Sequence, residues 1–266
     1  MTTTAELQYW NARASTYDGN GWTSRPDLLG WSADHAVRFL REAPGFAEAA
    51  RKVRTLEVGC GTGTFTEALL DRWLAVDAVD LSPEMVERAH ARFGGRRPAL
   101  SLGVVADPFS LPAGTFAGVV SRMVLHHAPD SPLENIQRWR SKCEPGTAVV
   151  IVEGPPQTAN DAHPAWMLYV DAMLLKEPGR FIFSGSEVAD WLFAAGCEDV
   201  RFVERWTHGN SLRAWLSGSG IVGDEAERIL DLHRHAHPMA RALCRIEETA
   251  DGDVKMSWRH MVAAGW

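Results

Sequence analysis

The chain has 266 residues, enough for one large core domain carrying insertions. Its 27 basic and 34 acidic residues leave a net charge of -7, and no basic run exceeds the pair Arg96-Arg97, so a nucleic-acid partner is not expected. Four scattered cysteines, Cys60, Cys143, Cys197 and Cys244, form no CxxC pair, and no apolar run approaches a membrane span; a soluble, cytoplasmic chain with reduced thiols and no membrane contact is the expectation.

In chain order, the apolar spacing predicts helices over residues 5–17 (Leu7, Trp10, Ala14 on one face) and 26–42 (Leu28, Leu29, Ala36, Val37, Leu40), separated by the turn-forming Asp18-Gly19-Asn20-Gly21. A short strand over 53–58 then breaks into Gly59-Cys60-Gly61-Thr62-Gly63 and re-emerges as a helix marked by Phe65, Ala68, Leu69 and Trp73. Glycines at alternate positions let a ligand lie against the main chain at a helix N-terminus. A dinucleotide site would want a third glycine where Thr64 stands, and Glu57 would repel a pyrophosphate while accepting hydrogen bonds from an ammonium group. A nicotinamide dehydrogenase is therefore disfavoured, and a cationic amino-acid ligand fits better.

A second strand, 74–80, ends in Asp80; Ser82 and Pro83 then supply the N-cap and N1 of a helix through Met85, Val86, Ala89 and Phe93, which frees Asp80 for a ligand. A third strand, 100–106, ends in Asp107 and Pro108. The fourth, 116–121, runs into Arg122-Met123-Val124-Leu125-His126-His127, with a helix over 132–143, and the fifth, 147–152, ends in Glu153. Near-continuous apolar strands separated by helices predict a parallel sheet covered on both faces. Beyond it come an inserted segment with a helix over 163–176, a helix from Ser186 to Gly196, a sixth strand over 199–206, helices over 212–243 and a last strand over 253–263. The domain organisation expected is an N-terminal helical segment (1–45), a ligand-binding core (46–153), an inserted segment (154–185) and the C-terminal half of the sheet (186–266) with a helical insertion at about 207–250.

The stretch Glu57-Val58-Gly59-Cys60-Gly61-Thr62-Gly63, with acids at the next two strand tips, resembles the first motif of the class I S-adenosylmethionine-dependent methyltransferases, and the likeness runs from Tyr17 to Glu153 and more loosely to the C-terminus. It implies an α/β, Rossmann-like sheet of seven strands, the last antiparallel, with helices on both faces and the leading helices and insertions forming a substrate lid. It implies S-adenosylmethionine as cofactor, touched by Tyr17, Glu57, Gly59, Cys60, Gly61, Gly63, Asp80, Leu81, Met85, Ala106, Asp107, Pro108, Ser121 and His126. Trp10-Asn11-Ala12-Arg13-Ala14-Ser15-Thr16-Tyr17-Asp18 is similar to the WxxxAxxYD stretch whose Tyr closes over the cofactor; a structural Tyr at a helix end stays equally open.

In an open α/β sheet the ligand lies beyond the C-terminal strand ends, where Glu57, Asp80, Asp107, His126 and Glu153 all fall. A double His after the fourth strand and an acid ending the fifth resemble the arrangement in sugar and natural-product O-methyltransferases, implying His126 or His127 as base and Glu153 as its helper. The same Leu-His-His phrase in C-methyltransferases of quinones implies instead a part in shaping the cofactor loop. Expected, then, is methyl transfer to a small-molecule acceptor, most naturally at an oxygen of a natural-product or sugar-like compound; C- or N-methylation, or a non-methylating enzyme such as a cyclase, stays open. Eleven tryptophans suit either ordinary packing or an apolar pocket, and a homodimer with Trp215 at the contact is open. His233 and His237 share a helix face, but no HExxH pattern or acid in register completes a metal site, and none is expected; His163 and His208 lie beside the insertions.

Overall fold

Strands that read as unbroken apolar runs are buried on both faces, and this dictates the layering of the computed structural model, which describes residues 4–15, 17–19, 25–94, 99–105, 115–127 and 131–266. The N-terminal part supplies α1 (Thr4–Arg13), a 3₁₀ turn (Tyr17–Gly19), α2 (Pro26–Glu42) and α3 (Phe46–Ala49). Then β1 (Thr55–Val58), α4 (Thr64–Leu70), β2 (Val76–Asp80), α5 (Pro83–Phe93), β3 (Leu100–Val104), β4 (Val119–Arg122), α6 (Pro132–Ser141) and β5 (Val149–Glu153) alternate. The remainder is α7 (Pro164–Lys176), α8 (Gly185–Ala194), β6 (Val200–Ser211), α9 (Leu212–Gly218), α10 (Gly223–Arg234), α11 (Pro238–Cys244), the two-residue β7 (Glu247–Glu248) and β8 (Val254–Gly265).

The sheet order is β3-β2-β1-β4-β5-β8-β6, with β7 paired to β8 as an eighth strand. The first five strands are parallel, and β8 enters antiparallel to both β5 and β6. The expected Rossmann-like sheet with a reversed last strand is what the chain forms. One face is sealed by α2 and α4, through Ala36, Val37, Leu40, Phe65 and Leu69; the other by α6 and α8, through Ile136, Trp139, Val188 and Leu192. A third apolar cluster joins Leu168 of α7 to Leu212, Ile229, Leu230 and Ala240, so the helices following β5 and β6 hold one another in place beyond those strands' C-terminal ends.

Several boundaries move for local reasons. Ser184, not Ser186, starts α8: its hydroxyl accepts from the Glu187 amide while the Glu187 carboxylate accepts from the Ser184 amide, a reciprocal cap. Trp73 does not continue α4, which ends at Leu70; it sits at φ 65 and is 91% exposed. The fourth strand starts at Val119, with Phe116 only bridging Cys143. The short α3 has no periodic signature in the sequence. Among the described residues no helix is long and apolar enough to cross a membrane, and all four cysteines are free and buried.

Candidate active site

The bend after β1 is where the main chain is laid bare. Gly59 sits at φ 73, and a Cβ there would lie 2.2 Å from Cγ2 of Val124; Gly63, the left-handed N-cap of α4, would put one 2.9 Å from Phe93. No other residue type meets both demands. The bend bounds a cavity of about 770 Å³ whose walls include Tyr17, Gly59, Gly61, Asp80, Leu81 and Met85. Asp80 is not loose at its strand tip: Oδ2 accepts from the Gly61 amide at 2.8 Å and Oδ1 from the Ser82 amide at 2.9 Å. Burial pushes its carboxyl up, and those amides pull it back. The Leu81 amide also bonds this carboxylate, and its remaining acceptor capacity faces the cavity, where vicinal hydroxyls would need it.

The N-terminal segment is fastened over this bend. Ser82 both caps α5 and donates to Oδ1 of Asn11 at 2.6 Å. Asp18 accepts from the Thr62 hydroxyl at 2.5 Å and pairs with Arg92 at 2.7 Å, while Arg92 donates to the Thr62 carbonyl at 2.9 Å. These ties carry the adjacent Tyr17, whose ring edge comes within 3.7 Å of where a Gly61 Cβ would be.

Of the other residues implied at the cofactor, Glu57, Cys60, Gly63 and Ser121 are not among the residues that wall this cavity, and His126 belongs to a second cavity described below. Ala106, Asp107 and Pro108 lie outside the described residues. Glu57 is buried with Oε2 lacking a hydrogen-bond partner, and burial pushes its carboxyl up to about 7 despite the nearby Thr66 hydroxyl and Arg122. Two contributors were not read from the sequence: Arg122, half-buried at the tip of β4 with its guanidinium 5.6 Å from the centre of the Phe65 ring, and Asn135 of α6. Asn135 is fully buried in the cavity wall with both side-chain polar atoms unpartnered, as is the Trp139 indole nitrogen. Orphaned amide and indole groups in the cavity wall, beside a ribose-type acceptor pair, are a hydrogen-bonding set that an adenosyl amino acid would satisfy. The residues present thus fit S-adenosylmethionine.

A second cavity, about 840 Å³ and partly open to solvent, lies against the first. Its walls come from α1 (Trp10, Arg13), α7 (Tyr169, Met173, Lys176), α9 (Trp215, Gly218) and β8 (Trp258, Arg259). Trp10, Tyr17, Met123 and His127 line both cavities. Met123 adopts φ 58, a left-handed conformation costly for a residue with a Cβ, at the point where the two spaces meet.

The two histidines divide their partners differently from the expected single pair. His126 Nδ1 meets Glu153 Oε2 at 2.7 Å, and Glu153 Oε1 accepts from the Leu125 amide at 2.9 Å. Both groups are buried, and burial favours their neutral forms, lowering the imidazole well below its usual range and raising Glu153 to about 7. His127 instead bonds through Nδ1 to Glu177, the C-cap of α7, and its ring packs edge-on to Trp10 at 4.7 Å. Burial lowers its pKa, opposed by the Glu177 bond and charge. For Glu177 burial alone would raise the carboxyl, but His127 and Arg180 outweigh it and hold it low. A further tie, the Phe181 amide to the His126 carbonyl at 3.0 Å, fixes the segment after α7 against the double His.

Five of the other histidines have local duties. His163 and His237 cap α7 and α11, His233 and His235 bond helix carbonyls of Ile229 and Asp231, and His208 meets the Ser257 hydroxyl. Among the described residues no three His, Cys, Asp or Glu side chains are grouped to hold a metal ion. Trp215 stacks toward Trp258 at 5.9 Å inside the second cavity's wall.

Known proteins are similar to this chain in sequence and in fold. The malonyl-[acyl-carrier protein] O-methyltransferase of Paenibacillus sp. (strain JDR-2) is 31% identical over 159 residues, which is 57% of this chain and 57% of that protein, so this chain aligns with little more than half of that relative's length. The trans-aconitate 2-methyltransferase of Mycobacterium tuberculosis (strain ATCC 25177 / H37Ra) is 26% identical over 219 residues, 74% of this chain and 78% of that one. In fold, the chain is similar to the YcgJ protein of Bacillus subtilis, with a TM-score of 0.67 and 17% identity over 83% of this chain and 94% of the other. It also resembles phosphoethanolamine N-methyltransferase 2 of Haemonchus contortus bound to S-adenosylhomocysteine, at a TM-score of 0.51 and 15% identity, covering 80% of this chain and 49% of that one. The methyltransferase-domain family matches residues 32–201, well over half of the chain. The chain belongs to that family and is a class I methyltransferase with S-adenosylmethionine as its cofactor.

Proposed function

We propose that this enzyme methylates an oxygen of a natural-product-type small molecule held in the second cavity, with His127 taking the proton of the acceptor hydroxyl and α1, α7 and α9 serving as the lid. The proposal is supported by the wall that Trp10, Tyr17, Met123 and His127 share, because an acceptor there faces the cofactor cavity with an imidazole beside it. Bound S-adenosylmethionine supplies a methyl group activated by its sulfonium. What the protein adds is alignment, worth on the order of 7 to 11 kcal/mol in the best cases, and a base, worth about 10²- to 10⁴-fold.

His127 suits that task. Its depressed pKa keeps the ring neutral at neutral pH, and the Nδ1 bond to Glu177 leaves Nε2 with the free lone pair. Glu177 then balances the charge that the ring acquires on taking a proton. The relative from Paenibacillus is named for transfer to oxygen, which supports the same atom here. Incubating the protein with methyl-labelled cofactor and a panel of hydroxy and carboxy compounds, then locating the label by NMR, tests this. Label on oxygen is expected; a carbon- or nitrogen-methylated product would overturn the reading.

A further inference from the structure

An acidic chain has collected positive charge in one place. Among the described residues, the second cavity is lined by four cationic side chains, Arg13, Lys176, Arg180 and Arg259, and one carboxylate, Glu177; Arg259 is also paired with Glu204. The Lys176 and Arg180 side chains are only 8% and 7% exposed, and both share that carboxylate, at 3.8 and 3.5 Å, while its other oxygen is taken by His127. Nε of Arg180 and Nε of Arg259 are buried without a hydrogen-bond partner. Burial pulls Lys176 down to about 8, the mark of an ammonium short of counter-charge. Two cations sharing one carboxylate in a desolvated wall are costly unless something negative completes them.

We propose that the methyl acceptor is an anion whose carboxylate or phosphate group docks between Lys176 and Arg180, in the cavity wall that Arg259 also lines. This rests on the reading of the second cavity as the acceptor chamber. Arg180 offers the forked donors that suit a carboxylate or phosphate, and Lys176 adds a point charge. Glu177 separates this anion seat from His127, so the group held here is a handle distinct from the oxygen that is methylated. A negative group bound to two cations is also a poorer nucleophile than one free of them, which assigns the seat to the non-reacting end of the acceptor. Trp215, with the Lys176 ammonium 4.9 Å from its ring centre, continues the wall as an apolar surface for the acceptor's body.

The test is binding, measured by calorimetry on protein loaded with S-adenosylhomocysteine. Probes are small di- and tricarboxylates and phosphomonoesters, each beside its neutral ester or amide. At least one anion is expected to bind ten-fold or more tightly than its neutral counterpart, and whether it is a carboxylate or a phosphate identifies the handle. Arg180→Gln and Lys176→Met are each expected to weaken that anion ten-fold or more with cofactor affinity unchanged, and Arg180→Lys to restore part of the loss. Lys176→Met should also unfold at the same temperature as the parent or higher, which separates lost recognition from lost folding. Neutral compounds binding as tightly as every anion, or variants binding the anion like the parent, would overturn the proposal. Its fate is separable from that of oxygen methylation: an uncharged compound methylated on oxygen sinks the anion seat alone, whereas an anion held by Lys176 and Arg180 but methylated on carbon or nitrogen sinks the other.

Discussion

Glu177 hydrogen-bonds Nδ1 of His127 across 50 residues of sequence, so a helix of the inserted segment fixes the imidazole that stands between the two cavities. His126, its neighbour in the chain with ring centroids 3.9 Å apart, is held by Glu153 from the sheet instead. If His127 is the base, His127→Gln lowers kcat by about 10²- to 10⁴-fold on a hydroxyl acceptor. Glu177→Gln lowers it less, by roughly ten-fold, because the amide oxygen still accepts from Nδ1 but no longer balances a charged ring. Glu177 raises the His127 pKa, so its removal moves the acid limb of the kcat/KM profile to lower pH. Steady-state kinetics from pH 5 to 9 on both variants check this; a limb that moves upward or stays put excludes the pairing from catalysis.

Asp80 gives a direct measure of the cofactor cradle. Its two oxygens already hold the Gly61 and Ser82 amides, and the lone pairs that remain are the acceptors for a ribose diol. Hydrogen bonds to a charged acceptor are worth about 1.5–3 kcal/mol each, so Asp80→Ala should weaken S-adenosylhomocysteine by about 10²- to 10⁴-fold in calorimetry. Retained affinity would place the ligand elsewhere.

The sheet and the bend were legible because their signals are local: β-branched runs, alternate glycines, and acids at strand tips. The pairing at the second site was not, because it joins residues from different segments. Nothing in the run His126-His127 says which ring meets Glu153, and Glu177 reads as an ordinary helix-end acid before Pro178-Gly179. Arg122 follows an apolar strand in a position that signals the rim of the sheet, and the sequence shows it without showing what it faces. Lys176, Arg180 and Arg259 converge only once α7 and β8 are packed, and tryptophans open to either reading as packing or pocket proved to be both: Trp139 fills the core while also edging the cofactor cavity, and Trp10, Trp215 and Trp258 line the second cavity.

Gly59 should tolerate no side chain. Gly59→Ala forces a Cβ to within 2.2 Å of Val124 and places alanine at φ 73. Left-handed backbone costs about 1–2 kcal/mol for a residue with a Cβ, and the overlap adds to it. The variant is expected to lose cofactor binding and to unfold several degrees below the parent by calorimetric scan. Adding Val124→Ala removes the overlap but not the backbone cost, so the double variant should recover part of the melting temperature; recovery of all of it would mean the conformation itself carries no penalty.

His260 supplies a test of stability against pH that is independent of chemistry. It lies buried beside the Thr207 hydroxyl, and burial, with Arg122, Arg25 and Arg205 nearby, pushes its pKa down to about 3. In the unfolded chain the ring titrates near 6.5, so below that pH the unfolded state takes up a proton that the folded state refuses. The contribution is therefore complete above about pH 6.5 and falls by about 1.4 kcal/mol per pH unit as the pH drops toward 3. Glu57 and Glu153, both raised to about 7, act in the opposite sense between about pH 4.5 and 7, so the parent's curve alone mixes the two effects. Comparison with His260→Gln isolates the histidine: in urea unfolding the stability of the parent relative to the variant should shrink steadily from pH 6.5 to 4.5. A difference independent of pH would show that His260 is protonated in the folded protein and that its surroundings are wetter than the packing of β6 against β8 implies.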